Sequence, residues 1–285
     1  MEDRAGARTW RVLHRLATER LESESEARRL VERASGNEGI EFLLHLDDVA
    51  NPRTVPFFLD MLDRRASGEP LQYVLGRWGF RRLDLYLDRR VLIPRPETEM
   101  VVQLALNELP RLGRRPTVVD LGTGSGAIAL SIALEAPTAR VWATERSGPA
   151  AAVARANLTG LGTLAASRVR VVEGDWFDPL PGLLAGHVQM VVSNPPYIAD
   201  DEELPSEVAD WEPRAALRAG PSGIEDIERI VGEAPRWLAR PGVLVVEIAP
   251  SQAPAATDLA WAAGFTSVEV RRDLAGRDRI LLASR

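Results

Sequence analysis

The residues best suited to chemistry in this sequence are Asn194-Pro-Pro-Tyr197, which directly follow the apolar segment 188–193. The two prolines fix the backbone dihedral φ and remove two N–H donors. The carbonyl groups of this loop therefore have no neighbouring N–H group that competes for the same space. Asn194 adds a side-chain carbonyl acceptor and Tyr197 adds a flat ring. Such a loop can hold a planar nitrogen group, or it can be a plain rigid turn at the end of a strand.

A glycine-rich turn, Asp120-Leu-Gly-Thr-Gly-Ser-Gly126, lies between a predicted strand and a predicted helix. Its three glycines allow a ligand to approach the backbone where any Cβ would collide. The spacing differs from the dinucleotide-binding pattern, and the chain has no lysine for a phosphate-binding P-loop. A plain tight turn is the alternative. The candidate cofactor contacts here are Gly122, Thr123, Gly124, Ser125 and Gly126.

Acidic side chains follow the next two predicted strands. Glu145 ends the second strand about twenty residues after the turn, where a carboxylate can accept hydrogen bonds from both hydroxyls of a ribose. Asp175 and Trp176 follow the third strand, and they can bind an adenine amino group and pack on the adenine ring. The alternatives are a solvent-exposed loop charge for Glu145 and a core or surface aromatic for Trp176. Together, these strand ends predict a nucleoside-containing cofactor at one edge of a sheet.

The combination indicates transfer of a methyl group from a positively charged sulfur to a weakly nucleophilic nitrogen. An amide or aromatic amine nitrogen reacts poorly because its lone pair is delocalised. Two acceptors that hold its N–H bonds orient the nitrogen, so positioning and aimed dipoles supply most of the catalysis. No acid or base is therefore assigned, because the proton leaves after methyl transfer.

Elements of two kinds position these residues. Residues 1–68 predict a small helical domain with four or so short helices, one of them capped by Thr54. Residues 69–95 predict a β-hairpin linker, because Leu71, Tyr73 and Leu75 alternate at a period of two and a second such run follows. Residues 96–285 alternate strands and helices, which is typical of a parallel sheet covered on both faces.

Composition narrows the function further. The chain has 285 residues, a net charge of −6 and no cysteine, which excludes thiolate chemistry and argues against direct binding of nucleic acid. The three histidines lie far apart, so we expect no metal site. No apolar run is long enough for a membrane span, and the charged N-terminus does not resemble a signal peptide, so we expect a cytoplasmic protein without membrane contact.

Several motifs together resemble one known family, the PrmC (HemK) family of peptide chain release factor glutamine N5-methyltransferases. The resemblance covers residue 69 to the end. Asn-Pro-Pro-Tyr is shared with other methyltransferases, whereas residues 93–99 are more specific. The matching segments are Gly68-Glu-Pro-Leu-Gln-Tyr73, Leu92-Ile-Pro-Arg-Pro-Glu-Thr-Glu99, Asp120-Leu-Gly-Thr-Gly-Ser-Gly-Ala-Ile-Ala-Leu130, Val192-Ser-Asn-Pro-Pro-Tyr-Ile198, Glu207-Val, Glu212-Pro and Asp278-Arg.

The resemblance implies a Rossmann-like class I methyltransferase domain with a seven-stranded, mostly parallel sheet at residues 96–285. It implies S-adenosyl-L-methionine as cofactor, held by the turn, Glu145, Asp175, Trp176 and Asn194. It also implies that Asn194 and the Pro195 carbonyl hold the substrate amide, with Pro196 and Tyr197 beside it. Arg95 either lines the substrate entrance or forms a salt bridge with Glu97 or Glu99.

The implied substrate is the glutamine of the Gly-Gly-Gln motif in class 1 release factors, methylated to modulate translation termination by what we expect to be a monomer. The alternatives are an N6-adenine nucleic-acid methyltransferase and a ribosomal-protein glutamine methyltransferase. Departures from the family pattern are Glu145 and Gln189 where aspartate is usual, and Ile248-Ala-Pro-Ser-Gln252 in place of a glycine-rich segment. We expect Gln189 to affect packing only.

Overall fold

The structure is a computed structural model that describes residues 8–285. Residues 1–7, on which the prediction about a signal peptide rests, lie outside the described part. The chain divides into two compact units, one ending at Arg77 and the other spanning Trp78–Arg285. The domain boundaries that the sequence indicates, after residues 68 and 95, stay a prediction.

The first unit is helical, as predicted. Side chains cap two of its helices, since Thr9 accepts from the Val12 N–H and Ser23 accepts from the Glu26 N–H. Thr54 precedes a helix but does not cap it, because its hydroxyl donates to the Asn51 carbonyl instead. The helices are α1 Trp10–Leu21, α2 Glu24–Ser35, α3 Ile40–Leu44, α4 Val55–Ala66 and α5 Leu71–Leu75.

The strand predicted from Leu71, Tyr73 and Leu75 is wrong, since this segment is helix α5. Val74 is buried as well, so the apolar positions include an i, i+3 and an i, i+4 pair that suit one helical turn. Gly76 then ends the helix with a positive φ of 67°. The hairpin begins after that glycine and consists of β1 Arg77–Phe80 and β2 Leu83–Tyr86.

The second unit alternates helices and strands. Its helices are α6 Pro96–Glu108, α7 Ala127–Glu135, α8 Gly148–Gly160, α9 Thr163–Ala166, α10 Ser206–Ala209, α11 Glu225–Trp237 and α12 Ala253–Ala262. Its remaining strands are β3 Thr117–Leu121, β4 Arg140–Glu145, β5 Val169–Glu173, β6 Val188–Ser193, β7 Ile198–Ala199, β8 Arg218–Gly220, β9 Leu238–Glu247, β10 Ser267–Arg272 and β11 Asp278–Ser284.

Within residues 8–285, the central sheet has seven strands in the order β10-β11-β9-β6-β3-β4-β5. The five strands from β9 to β5 are parallel, and β11 runs antiparallel to both of its neighbours, β9 and the edge strand β10. This confirms the predicted class I methyltransferase fold. The chain order reverses between β3 and β6, and ligands of open α/β sheets bind beyond the carboxyl ends of strands at such a point.

Arg81 links the hairpin to helices α6 and α7. Its guanidinium donates to the Glu135 carboxylate at 2.7 and 2.9 Å, and its backbone N–H donates to the Glu99 carboxylate at 2.9 Å. These contacts hold β2 against the α6 and α7 end of the unit. None of the helices between residues 8 and 285 is long and apolar enough to cross a membrane.

The helical unit offers a matched test of its core in two neighbouring phenylalanines. Phe58 is fully buried in α4, whereas Phe57 is 42% exposed. We expect Phe58→Ala to lower the free energy of unfolding by about 3–5 kcal/mol, because it removes a ring and leaves a cavity. Phe57→Ala should cost under about 1 kcal/mol. Urea unfolding of both variants measures the difference, and equal losses would contradict the position assigned to Phe58.

Candidate active site

The glycine turn joins the end of β3 to the start of α7, and each of its glycines has a positive φ. A Cβ on Gly122 would lie 3.1 Å from the Trp176 ring, and one on Gly126 would lie 2.9 Å from Leu130. Around Gly124, by contrast, no atom of residues 8–285 lies within 4 Å of the Cβ position. The turn therefore keeps open space directly above Gly124.

Thr123 and Ser125 support the turn from inside the protein. The Thr123 hydroxyl donates to the Asp120 carboxylate at 2.6 Å, and the Ser125 carbonyl accepts from the Asn157 side chain at 2.8 Å. Both side chains are buried, and it is Gly122 and Gly124 that line the adjoining cavity. Gly126 is the residue at which the turn enters α7.

Glu145 lies at the end of β4, facing the glycine turn. One carboxylate oxygen accepts from the Gly124 N–H at 3.0 Å, and the other accepts from the Ser147 N–H at 2.9 Å. Two backbone donors thus fix the orientation of the carboxylate, while each oxygen keeps capacity for a further hydrogen bond. Glu145 lines the same cavity as the glycines, as the sequence predicted for a ribose contact.

Asp175 and Trp176 also line this cavity. One oxygen of Asp175 forms an ion pair with Arg229, and the other has no hydrogen-bond partner among residues 8–285. Trp176 is buried, has a positive φ of 42° and packs its ring against Gly122. The pair therefore forms part of the wall of the cavity that Glu145 also lines.

This first cavity is an open cleft at the carboxyl ends of the strands. It combines an apolar wall, a glycine backbone with open space above it and the Glu145 carboxylate. A nucleoside-containing cofactor fits this set of groups, because a flat base needs an apolar surface and a ribose needs a fixed acceptor.

A second cavity of about 570 Å³ adjoins the first. Asn194 and Pro196 line both cavities, whereas Pro195 and Tyr197 line only the second. The loop after β6 is therefore the wall that the two spaces share. The two cavities therefore meet beside Asn194 and Pro196, with Leu92 and Ala216 also lining both.

Hydrogen bonds from other elements hold this loop. The Asn194 side-chain nitrogen donates to the Thr98 hydroxyl at 3.1 Å, and the Gln252 side chain donates to the Tyr197 carbonyl at 3.0 Å. Burial, with the nearby Glu247 charge acting in the same direction, raises the pKa of Tyr197 to about 12. The Tyr197 phenol is therefore neutral at ordinary pH and acts as a packing group or hydrogen-bond donor.

Arg95 lines the second cavity, and its ion-pair partner there is Glu212 rather than Glu97 or Glu99. Glu212 is buried and also accepts from the Ile93 N–H at 3.2 Å. The salt bridge expected with Glu97 or Glu99 is thus wrong in its partner. Arg95 is therefore paired and also lines the cavity, while its role at a substrate entrance stays a prediction.

Sequence reasoning missed Thr98, Glu247 and Gln252. Thr98 lies inside the segment 92–99 that carries the family resemblance, and Glu247 is the lone acid at the end of an apolar strand. Gln252 belongs to the segment noted as a departure, where it also donates to the Gly223 carbonyl at 2.8 Å. Gln189, expected to affect packing only, accepts from the Thr117 N–H at 2.8 Å.

The chain matches two protein families. Residues 11–76 match the PrmC N-terminal domain, and residues 98–210 match the methyltransferase small domain. A release factor glutamine methyltransferase of Bordetella pertussis is 43% identical over 257 residues, covering 90% of this chain and 92% of the relative. One of Burkholderia pseudomallei is 42% identical over 257 residues, covering 89% of each.

Among solved structures, the hMettl16 catalytic domain in complex with the MAT2A 3′UTR hairpin 1 superposes with a TM-score of 0.57 at 18% identity. The match covers 79% of this chain and 80% of that one. At this level of identity the likeness concerns the fold alone, so the RNA in that structure says nothing about this chain.

Asp120 gives a pH-dependent test of the turn. Burial raises its pKa to about 7, above the ordinary value of 3.8, although bonds from Thr123 and the Ala129 N–H oppose the shift. Since the folded protein binds this proton more tightly, stability is lost as pH rises from about 4 to 7. Asp120→Asn removes that loss, because both bonds go to one oxygen and the amide oxygen can replace it.

We expect the stability of Asp120→Asn relative to wild type to rise by roughly 2–3 kcal/mol between pH 5 and pH 8. Urea unfolding of both proteins at the two pH values measures this difference, and other titrating groups cancel in the comparison. A difference that does not change with pH would show that Asp120 is ionised throughout this range.

Proposed function

The chain belongs to the release factor glutamine methyltransferase family, and we propose that it methylates the side-chain amide nitrogen N5 of the glutamine in the Gly-Gly-Gln motif of class 1 release factors. The observation that carries the proposal is the shared wall at Asn194 and Pro196, between the cavity beside the glycine turn and a second cavity. Relatives that are 42–43% identical and named for release factors support this substrate over adenine or a ribosomal protein.

The first cavity suits S-adenosyl-L-methionine, which when bound supplies a methyl group on a positively charged sulfur. Gly122 and Gly124 let the backbone approach the cofactor, and Glu145 accepts from the ribose hydroxyls. Trp176 packs on the adenine, and the Asp175 carboxylate accepts from its amino group. The Glu145 side chain is longer than that of the aspartate usual in the family. Hydrogen bonds from the Gly124 and Ser147 N–H groups hold its carboxylate in place.

In the second cavity, the Asn194 side-chain oxygen and the Pro195 carbonyl accept the two N–H bonds of the substrate amide. Tyr197 packs against the amide plane, and Pro196 and Arg95 complete the entrance. Holding both hydrogens turns the nitrogen lone pair toward the neighbouring cavity and favours pyramidalisation. Positioning and fixed dipoles lower the barrier, and the proton leaves for water after transfer, when the nitrogen has become more acidic.

The helical unit is proposed to recognise the release factor outside its glutamine motif. Several large apolar side chains are exposed there and are available for contact with a protein partner. They are Ile40, Leu43, Leu44 and Val49. The enzyme is proposed to act as a monomer in the cytoplasm, where release factors work.

Glu145→Ala tests the cofactor site. We expect the free energy of cofactor binding to weaken by about 1–3 kcal/mol, because two charge-assisted hydrogen bonds to the ribose are lost. Glu173→Ala is the matched control, because Glu173 on β5 lies in register with Glu145 on β4. This substitution removes the same charge at the same edge of the sheet. Isothermal titration calorimetry with S-adenosyl-L-methionine measures both, and unchanged affinity in Glu145→Ala would exclude it from the site.

Mass spectrometry of a release factor incubated with the enzyme and S-adenosyl-L-methionine tests the function. We expect the Gly-Gly-Gln glutamine to gain one methyl group. Asn194→Ala should slow this transfer by about 10²–10³-fold, as removal of an aimed dipole does elsewhere, and change the cofactor affinity less than about threefold. A release factor left unmethylated by the wild type refutes the substrate, and equal loss of transfer and cofactor binding refutes the role of Asn194.

A further inference from the structure

Glu247 is a buried acid that the proposed mechanism leaves without a role. It ends β9 and is 1% exposed, and the residues lining the two cavities do not include it. One of its oxygens accepts from the Thr98 hydroxyl at 2.8 Å. Because the same hydroxyl oxygen accepts from Asn194 at 3.1 Å, a hydrogen-bond chain leads from Glu247 through Thr98 to Asn194.

The direction of this chain follows from counting hydrogens. A threonine hydroxyl has a single hydrogen, and an ionised carboxylate can only accept. When Glu247 takes that hydrogen, Thr98 has only a lone pair left for Asn194. The Asn194 amide must then present its NH2 group to Thr98, and its oxygen is left on the side that the substrate approaches.

The opposite orientation of the amide would not hold the substrate nitrogen in position for transfer. If Thr98 were free to donate to the Asn194 oxygen, the amide could turn over and present its NH2 group to the cavity. Two N–H donors would then face each other, because the substrate is itself an amide NH2 group. The shape of an asparagine amide does not distinguish the two orientations, so only the hydrogen-bond partners can select one.

We propose that Thr98 and Glu247 are positioning residues, which fix the Asn194 amide with its oxygen toward the substrate nitrogen. This inference rests on the proposed function, since it specifies how that site recognises an amide nitrogen. It extends the site from the loop after β6 to the first turn of α6 and the end of β9.

The fold places the three residues together. Ser193 pairs with Val246 in parallel register, so Asn194 and Glu247 are the next residues at the ends of adjacent strands. Thr98 lies in the first turn of α6, a helix that begins with Pro96 and packs against both β6 and β9. Thr98 is 4% exposed, so water does not compete for its hydroxyl.

The charged groups around Glu247 act on it in both directions. Burial raises its pKa to about 7 and Glu97 adds to the rise, whereas the Thr98 bond and the cations Arg279 and Arg95 lower it. Tyr197 is the other titratable group nearby, and it is neutral. Glu247 is therefore ionised above about pH 7, and in that state it takes the Thr98 hydrogen.

Three variants separate positioning from packing. Thr98→Val keeps the shape but removes the hydroxyl, and we expect kcat for release factor methylation to fall about 10- to 100-fold through lost orientation. KM and the calorimetric Kd for S-adenosyl-L-methionine should change less than about threefold, since those contacts remain. Thr98→Ser should restore most of the lost activity. Thr144→Val is the matched control, because Thr144 is also fully buried and its hydroxyl has no partner among residues 8–285.

The pH dependence of Glu247→Gln gives a second readout, which does not require Thr98→Val to fold. A glutamine amide, like a protonated carboxyl group, can present either an acceptor or a donor to Thr98, so it no longer fixes the direction of the chain. We therefore expect the ratio of wild-type to variant single-turnover rates to be about tenfold at pH 8.5 and to approach one at pH 5.5, where wild-type Glu247 is protonated. Asp120 titrates in both proteins and cancels in this ratio.

The possible outcomes distinguish the two proposals. A wild type that leaves the release factor unmethylated overturns both. A methylating wild type that Thr98→Val matches in kcat, or a Glu247→Gln rate ratio that does not change with pH, overturns the positioning role alone. A fall in kcat with an unchanged cofactor Kd, rescue by serine and a pH-dependent ratio together support it.

Discussion

The hydrogen bond between the Asn194 amide and the Thr98 hydroxyl is the contact on which the site depends. Among the residues that line both cavities, Asn194 is the one with a polar side chain, so its amide can act on groups held in either cavity. A single amide cannot catalyse much by its own reactivity, but a fixed dipole at a point where two reactants meet lowers a barrier effectively. A fixed orientation of this side chain therefore lowers the reaction barrier more than a strong base would.

The sheet explains why so few residues suffice. The reversal of strand order between β3 and β6 opens the first cavity, and the parallel register of β6 with β9 brings Glu247 level with Asn194. The glycine turn provides space on the cofactor side, while the prolines keep backbone donors out of the substrate side. Cofactor and substrate can thus be held by different groups and still meet at one wall.

Much of this arrangement could be predicted from the sequence, because its signals are local. Residue types and spacings within a few positions identify the glycine turn, the acid at the end of β4 and the Asn-Pro-Pro-Tyr loop. Helix α5 was mistaken for a strand, since five residues with alternating apolar positions satisfy either period. Thr98, Glu247 and the Arg95–Glu212 pair could not be found this way, because their partners lie about a hundred or more residues away and only the folded sheet brings them together.

The most direct test of the account is a crystal structure of the enzyme with S-adenosyl-L-homocysteine and a glutamine-containing release factor peptide. The account predicts the glutamine amide nitrogen in the second cavity, about 3 Å from both the Asn194 side-chain oxygen and the Pro195 carbonyl, and facing the sulfur across the shared wall. A glutamine bound elsewhere, or an Asn194 side chain turned away from it, would contradict the account.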